Sequence, residues 1–235
     1  MIPIRDTAPC NSRPIMTWSI IAICTSIFVA MWFAPDNVSY RLINQFGMIP
    51  VRYSNPVWAK NFGLSPDYGF SFISNLFFHA DWMHLLANMW FLWIFGDNIE
   101  DRMGRWRFLL YFLCCGAVAT FLQWYFDPDL VIPVVGASGA IAGILAAYFF
   151  LYPMEKVILW IPFIFPILVP VPAIAFLGVW VMMQLHDATT AAFFTHQMAS
   201  VAWWAHLGGF IAGYFFHPLF LLDDLNDSID EQNPV

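Results

Sequence analysis

Three clusters of polar residues interrupt an otherwise apolar chain, and their residue types are those of acyl transfer. The first is Gly136-Ala137-Ser138-Gly139. A serine hydroxyl becomes a usable nucleophile when a nearby base takes its proton. The flanking Gly136 and Gly139 allow a tight backbone path and close approach of other groups. The second cluster is Ala205-His206-Leu207-Gly208-Gly209. A neutral imidazole at His206 is a candidate base, and His206, Gly209 and Gly213 share one helical stripe at i, i+3 and i+7. The third is His79 with His84-Leu85-Leu86-Ala87-Asn88. His84 and Asn88 fall one turn apart on one face and could aim donors at an oxygen that becomes negative. His79 precedes that helix, where hydrogen bonds from its ring could hold the loop.

Each cluster alone has a plainer explanation. Ser138 could be a harmless serine in a small-residue packing seam. His206 could be hydrogen-bonded for packing alone. His79, His84 and Asp81 could hold a metal, but the His-x-x-x-His pair usual for zinc is absent and no cysteine joins them. No metal and no cofactor are therefore expected. A nucleophile, a base and an oxyanion set brought to one depth would make a hydrolase site.

The elements that must position these residues are membrane helices. Of 235 residues, 60% are apolar and 11% are charged; soluble domains carry about 25% charged residues. Such a chain is solvated by lipid. Net charge is −7, there is no basic run, and nucleic-acid binding is excluded as a partner class. Cys10, Cys24, Cys114 and Cys115 form neither a disulfide framework nor a metal pattern and read as small membrane-buried hydrophobes.

A spanning helix needs roughly 20 apolar residues. The uncharged stretches number 22 positions between Arg13 and Asp36, 19 between Arg107 and Asp127, 25 between Asp129 and Glu155, 30 between Lys156 and Asp187, and 35 between Asp187 and Asp223. Asp67 to Asp97 is broken only by Asp81. Six runs predict six transmembrane helices in an all-α bundle, with one long loop from about Ala34 to Ser71. The first run is too long for a signal-peptide core and reads as the first membrane helix. With the N-terminus inside, inner segments hold Arg5, Arg13, Arg102, Arg105, Arg107 and Lys156, against Arg41, Arg52 and Lys60 outside, which favours N-in/C-in. Residues 1–13 read as a cytoplasmic N-terminus, 14–222 as the six-helix domain, and 223–235 as an acidic cytoplasmic tail. Pro162, Pro166, Pro170 and Pro172 break the run after Lys156. Its first part is expected to be re-entrant or interfacial, with the fifth helix from about Ala173 to Leu185.

In this arrangement Ser138 opens the fourth helix and Pro153 ends it. Fifteen residues rise only about 22 Å, short of a ~30 Å hydrocarbon core, so Ser138 lies below the outer surface. Gly139, Ala142, Gly143, Ala146 and Ala147 give this helix one small face, for which Gly209 and Gly213 of the sixth helix are suited partners. That packing would bring His206 toward Ser138. The second, fourth and sixth helices all begin on the same side, which puts the three clusters at one depth.

These residues resemble the rhomboid family of intramembrane serine proteases. The likeness runs through Phe46-Gly47-Met48-Ile49-Pro50, the stretch from His79 to Gly104, Gly136 to Tyr148, and Ala205 to Gly213. It implies a six-helix core with a Ser138–His206 dyad and no third acid. It further implies that His84 and Asn88, with the Ser138 backbone N–H, stabilise the oxyanion, and that His79 supports the loop. Residues from about Asp187 to Ser200 would cap the site, and the fifth-helix region would form a lateral gate. The partners implied are membrane lipid and single-pass transmembrane substrates cut near their outer end. The alternative is a non-catalytic rhomboid-like chaperone or binder, whose kind typically lacks the serine or the histidine. A small transporter is disfavoured, because no inverted repeat or intramembrane acid is visible. Two positions depart from the family pattern: the first loop lacks a Trp-Arg pair, and Ala142 stands where some members place an aromatic against the base histidine. No accessory soluble domain and no transit segment are apparent, which favours a bacterial inner membrane.

Overall fold

A computed structural model of the chain describes residues 2–64, 67–162, 166–194 and 202–222. Its body is built from six long helices. They are α1 (Ile15–Trp32), α6 (Trp82–Met103), α7 (Arg105–Phe126), α8 (Ser138–Leu151), α9 (Ala173–Phe194) and α10 (Trp203–Phe220). Four short helices fill the first loop: α2 (Asp36–Phe46), α3 (Pro50–Ser54), α4 (Pro56–Asn61) and α5 (Ser71–Ser74). Among the described residues, α1 and α7 are long and apolar enough to cross a membrane by length and composition, while α8 is apolar but shorter. Large apolar side chains such as Trp93, Leu110, Val179 and Phe215 point outward from the long helices, a surface suited to lipid.

The chain is not all-α. Among the described residues, three strands, β1 (Ile2–Arg5), β2 (Lys156–Pro162) and β3 (Pro166–Pro172), form an antiparallel sheet in the order β1-β2-β3. This corrects the expectation of a re-entrant segment after Lys156. The prolines are the reason: they rule out a helix, but an edge strand tolerates residues that lack an N–H. Pro166, Pro170 and Pro172 lie on β3, which among the described residues has a neighbour on one side only. The N-terminal segment is tied down as well. Beyond its pairing with β2, Trp90 Nε1 donates to the Pro3 carbonyl at 2.6 Å, and Tyr148 Oη donates to Asp6 at 2.5 Å. The fifth helix runs nine residues past its expected end, from Leu185 to Phe194.

Two local devices position the helices that carry the site. Pro14 precedes α1 and offers no side-chain cap. The buried Glu100 of α6 supplies it instead, accepting from Met16 N at 2.8 Å and Thr17 N at 2.7 Å. The second is a seam between α8 and α10. A Cβ on Gly209 would fall onto the carbonyl oxygen of Gly139, and one on Gly213 would fall onto that of Gly143. Backbone therefore packs on backbone, as the small faces predict. Tyr111 of α7, fully buried, closes the third side with Oη 2.6 Å from Gly143 O and 3.2 Å from Gly213 O. Of the cysteines, Cys24 and Cys115 are buried in this core, whereas Cys10 and Cys114 are exposed, Cys114 on the outer surface of α7.

Candidate active site

Ser138 is the first residue of α8, and His206 lies in the first turn of α10. The seam sets their separation: His206 Nε2 is 2.8 Å from Ser138 Oγ. That is within the reach a base needs to take a hydroxyl proton. The pair borders a cavity of about 750 Å³, which His84, Asn88, Trp180 and Gln123 also line.

His84 and Asn88 reach the pair because of Gly136. This residue has φ +125°, a conformation that side chains with a Cβ rarely adopt. A Cβ there would come within 2.5 Å of His84 Nε2 and 3.6 Å of Asn88 Nδ2. The turn before Ser138 thus sits directly against both side chains. Asn88 is buried, and its Nδ2 has no hydrogen-bond partner among the described residues. Such a group is costly to leave unmade and is available to an acceptor that enters the cavity. His84 is held from below, since Asp81 caps α6 by accepting from His84 N at 2.9 Å.

The turn is braced on its other side. Gly136 N donates to Asn75 O at 3.0 Å, and Asn75 Nδ2 donates to Thr120 Oγ1 at 3.0 Å. Val134 and Met48 exchange backbone hydrogen bonds at 2.7 and 3.0 Å, so the Phe46–Pro50 segment of the first loop pairs with the strand-like approach to Ser138. Farther out, Arg52 forms an ion pair with Asp67 at 2.9 Å, and Tyr53 Oη donates to the same carboxylate.

His79 lies in the turn before α6. It is 1% exposed, and its ring lies beside the backbone of Phe77. The ring packs edge-on against His84, with centroids 5.2 Å apart at 69°. Among the described residues, no three His, Cys, Asp or Glu side chains lie close enough to hold a metal ion. The expected cap over Asp187–Ser200 is helical as far as Phe194, and residues 195–201 lie outside the described ones.

Several residues at this site escaped the sequence reading. Gln184 Oε1 of α9 is 2.5 Å from His206 Nδ1. Gln123 Oε1 of α7 accepts from Ala205 N at 3.2 Å, in the turn that carries His206. Asn75 braces Gly136, as described. Each is a lone amide in an apolar stretch, which is itself a signal, since polar side chains are expensive in a membrane. The aromatic missing at Ala142 is supplied from elsewhere. Trp180 of α9 and Trp203 of α10 place their rings 6.2 and 6.0 Å from the His206 ring.

Comparison with known proteins bears on this arrangement. The Rhomboid domain model matches residues 67–222. The chain is 32% identical over 207 residues to Rhomboid protein 1, mitochondrial, of Saccharomyces cerevisiae, covering 86% of this chain and 52% of the yeast protein. It is 31% identical over 102 residues to the Putative rhomboid protease YdcA of Bacillus subtilis, covering 43% of this chain and 50% of that protein. It is 38% identical over 77 residues to Rhomboid-like protein 11, chloroplastic, of Arabidopsis thaliana, covering 33% of this chain and 27% of the plant protein. The chain thus spans about half the length, or less, of these relatives. With a domain model matched over more than half of its residues, from Asp67 to Leu222 just past α10, the chain belongs to the rhomboid family of intramembrane proteases.

Proposed function

We propose that this protein is a serine endopeptidase that cleaves single-pass transmembrane segments of other membrane proteins near their outer end. The observation that carries the reading is the 2.8 Å contact between Ser138 Oγ and His206 Nε2 beside a cavity lined by His84 and the unpartnered Asn88 amide. In the reaction, Ser138 Oγ attacks the scissile carbonyl carbon while His206 Nε2 takes the hydroxyl proton. The carbonyl oxygen becomes an oxyanion facing His84, Asn88 Nδ2 and the Ser138 backbone N–H. His206 returns the proton to the leaving amine, and the peptide C–N bond breaks. A water then attacks the acyl-serine, again through His206, and frees Ser138. A helical peptide bond is shielded by its own hydrogen bonds, so the substrate must unwind before attack. Small residues at the cut and helix-destabilising residues beyond it suit that requirement.

The reading includes six membrane crossings with both termini inside and the protease domain over residues 14–222. It also includes residence in a bacterial inner membrane. The sheet and residues 1–13 would then lie at the cytoplasmic face. The test is labelling of the purified protein in detergent by a serine-directed fluorophosphonate, wild type beside Ser138→Ala and His206→Ala. Labelling of wild type alone, together with cleavage of a transmembrane reporter, is the expected result. Folded wild type that neither labels nor cleaves would overturn the protease reading and leave a rhomboid-like binder as the one to pursue.

A further inference from the structure

Gln184 is a polar residue on an apolar helix, 6% exposed, and it meets the face of His206 opposite Ser138. We infer that Gln184 is a positioning residue for the base: its amide oxygen selects the His206 tautomer that can accept the serine proton and steadies the imidazolium that forms. The inference rests on the dyad proposed above.

The chemistry follows from the two ring nitrogens. Nε2 can accept the Ser138 proton only if it is unprotonated, so the ring proton must reside on Nδ1. The Gln184 atom 2.5 Å from Nδ1 is the amide oxygen, which accepts and cannot donate. It therefore stabilises Nδ1–H and disfavours the opposite tautomer, in which Nε2 would donate to Ser138 and leave it without a base. When Nε2 takes the serine proton, the ring becomes a cation and Nδ1–H still points at the amide oxygen. A bond to a charged donor is stronger than a neutral one, so its gain is largest at the transition state. A neutral amide performs this role at lower cost than a carboxylate would inside a membrane, where an ion requires full compensation.

The surroundings leave this contact as the principal control on Nδ1. Among the described residues, α6 presents His84 to the base as a titratable group, α7 presents Gln123, and α8 presents Ser138. On α9, Trp180 packs beside the ring. His186 and Asp187, two and three positions after Gln184, pair with each other at 3.1 Å, with His186 largely exposed. Because Gln184 belongs to α9 and His206 to α10, any separation of these helices breaks the contact and leaves the tautomer unselected.

The test measures the rate of Ser138 labelling by a fluorophosphonate against pH for wild type, Gln184→Met and Gln184→Glu, with thermal unfolding recorded for each. Methionine keeps the volume and removes the acceptor. It should slow labelling about 10- to 100-fold at unchanged unfolding temperature, the loss expected for one hydrogen bond to a charged group. Glutamate restores the acceptor and adds a negative charge, which favours the imidazolium. It should recover labelling above that of Gln184→Met and move the acid limb of the profile upward by about one pH unit. Wild-type rate in folded Gln184→Met, or an unmoved acid limb in Gln184→Glu, overturns the positioning role while leaving the dyad intact. Should Gln184→Met fail to fold, the acid limb of Gln184→Glu decides. Wild type that never labels at Ser138 removes the dyad, and this inference with it.

Discussion

Gly209→Ala is the sharpest perturbation of the proposed site, because it touches no reacting atom. The added Cβ would overlap the carbonyl oxygen of Gly139, at the point where α8 and α10 pack backbone to backbone. Restoring the ~3.5 Å separation at which such contacts are favourable requires α10 to move away by about 1.5 Å. His206 is less than one turn from Gly209 on the same stripe, and Ser138 adjoins Gly139, so the shift is transmitted to the dyad. The present 2.8 Å between Nε2 and Oγ leaves little margin. If half of the shift falls along that line, the pair passes the ~3.2 Å limit for proton transfer. A misplacement of about 1 Å can cost on the order of 100-fold in rate, and overpacking costs typically 1–3 kcal/mol in stability. The assay pairs fluorophosphonate labelling rate with thermal unfolding in detergent. The expected outcome is a rate loss on the order of 100-fold with a lower unfolding temperature. A Gly209→Ala protein that labels at the wild-type rate would refute the claim that the seam sets the dyad distance.

Other outcomes follow from the same geometry. Removing one proposed oxyanion donor, by His84→Ala or Asn88→Ala, should lower kcat for a transmembrane reporter by about 100- to 1000-fold without abolishing Ser138 labelling; an unchanged kcat in both would count against their role. Glu100→Ala strips the buried cap from α1, leaving two backbone N–H groups unpaired, and should cost about 1–3 kcal/mol in denaturant unfolding. Glu100→Gln, which keeps an acceptor, should cost less, and equal losses would argue against capping. In the first loop, burial pushes the Asp67 carboxyl up, but hydrogen bonds involving Tyr53, Ser71 and Gly69 and the charge of Arg52 hold it below the usual carboxylate range. A depressed carboxyl stabilises the fold above its unfolded value of about 3.9, and that contribution is lost as pH falls through the folded value. Wild type should therefore lose unfolding temperature more steeply than Asp67→Asn below about pH 4, and parallel curves would exclude the linkage. At neutral pH, Asp67→Asn leaves the buried Arg52 charge without its partner, a change that typically costs 3–5 kcal/mol.

Much of the site was legible in one dimension because its parts lie on short helical periods. Gly139, Ala142 and Gly143 against Gly209 and Gly213 declare a close helix pair, and that pair carries Ser138 and His206. His84 and Asn88, four residues apart, declare a shared face. Composition likewise declares a lipid-solvated, mostly helical chain, since charge and apolar content depend on no fold. What no spacing could reveal is contact between distant segments. Gln184 meets His206 from another helix, 22 positions away. Glu100 caps a helix that begins 85 positions earlier in the chain, at Ile15. The opening residues Ile2–Arg5 become a strand only because Lys156–Pro162 offers an edge to pair with. Tertiary structure alone decided these, for a physical reason: a strand or a buried amide is satisfied by whichever partner the folded chain brings near, whereas helical periodicity satisfies the backbone from within its own segment.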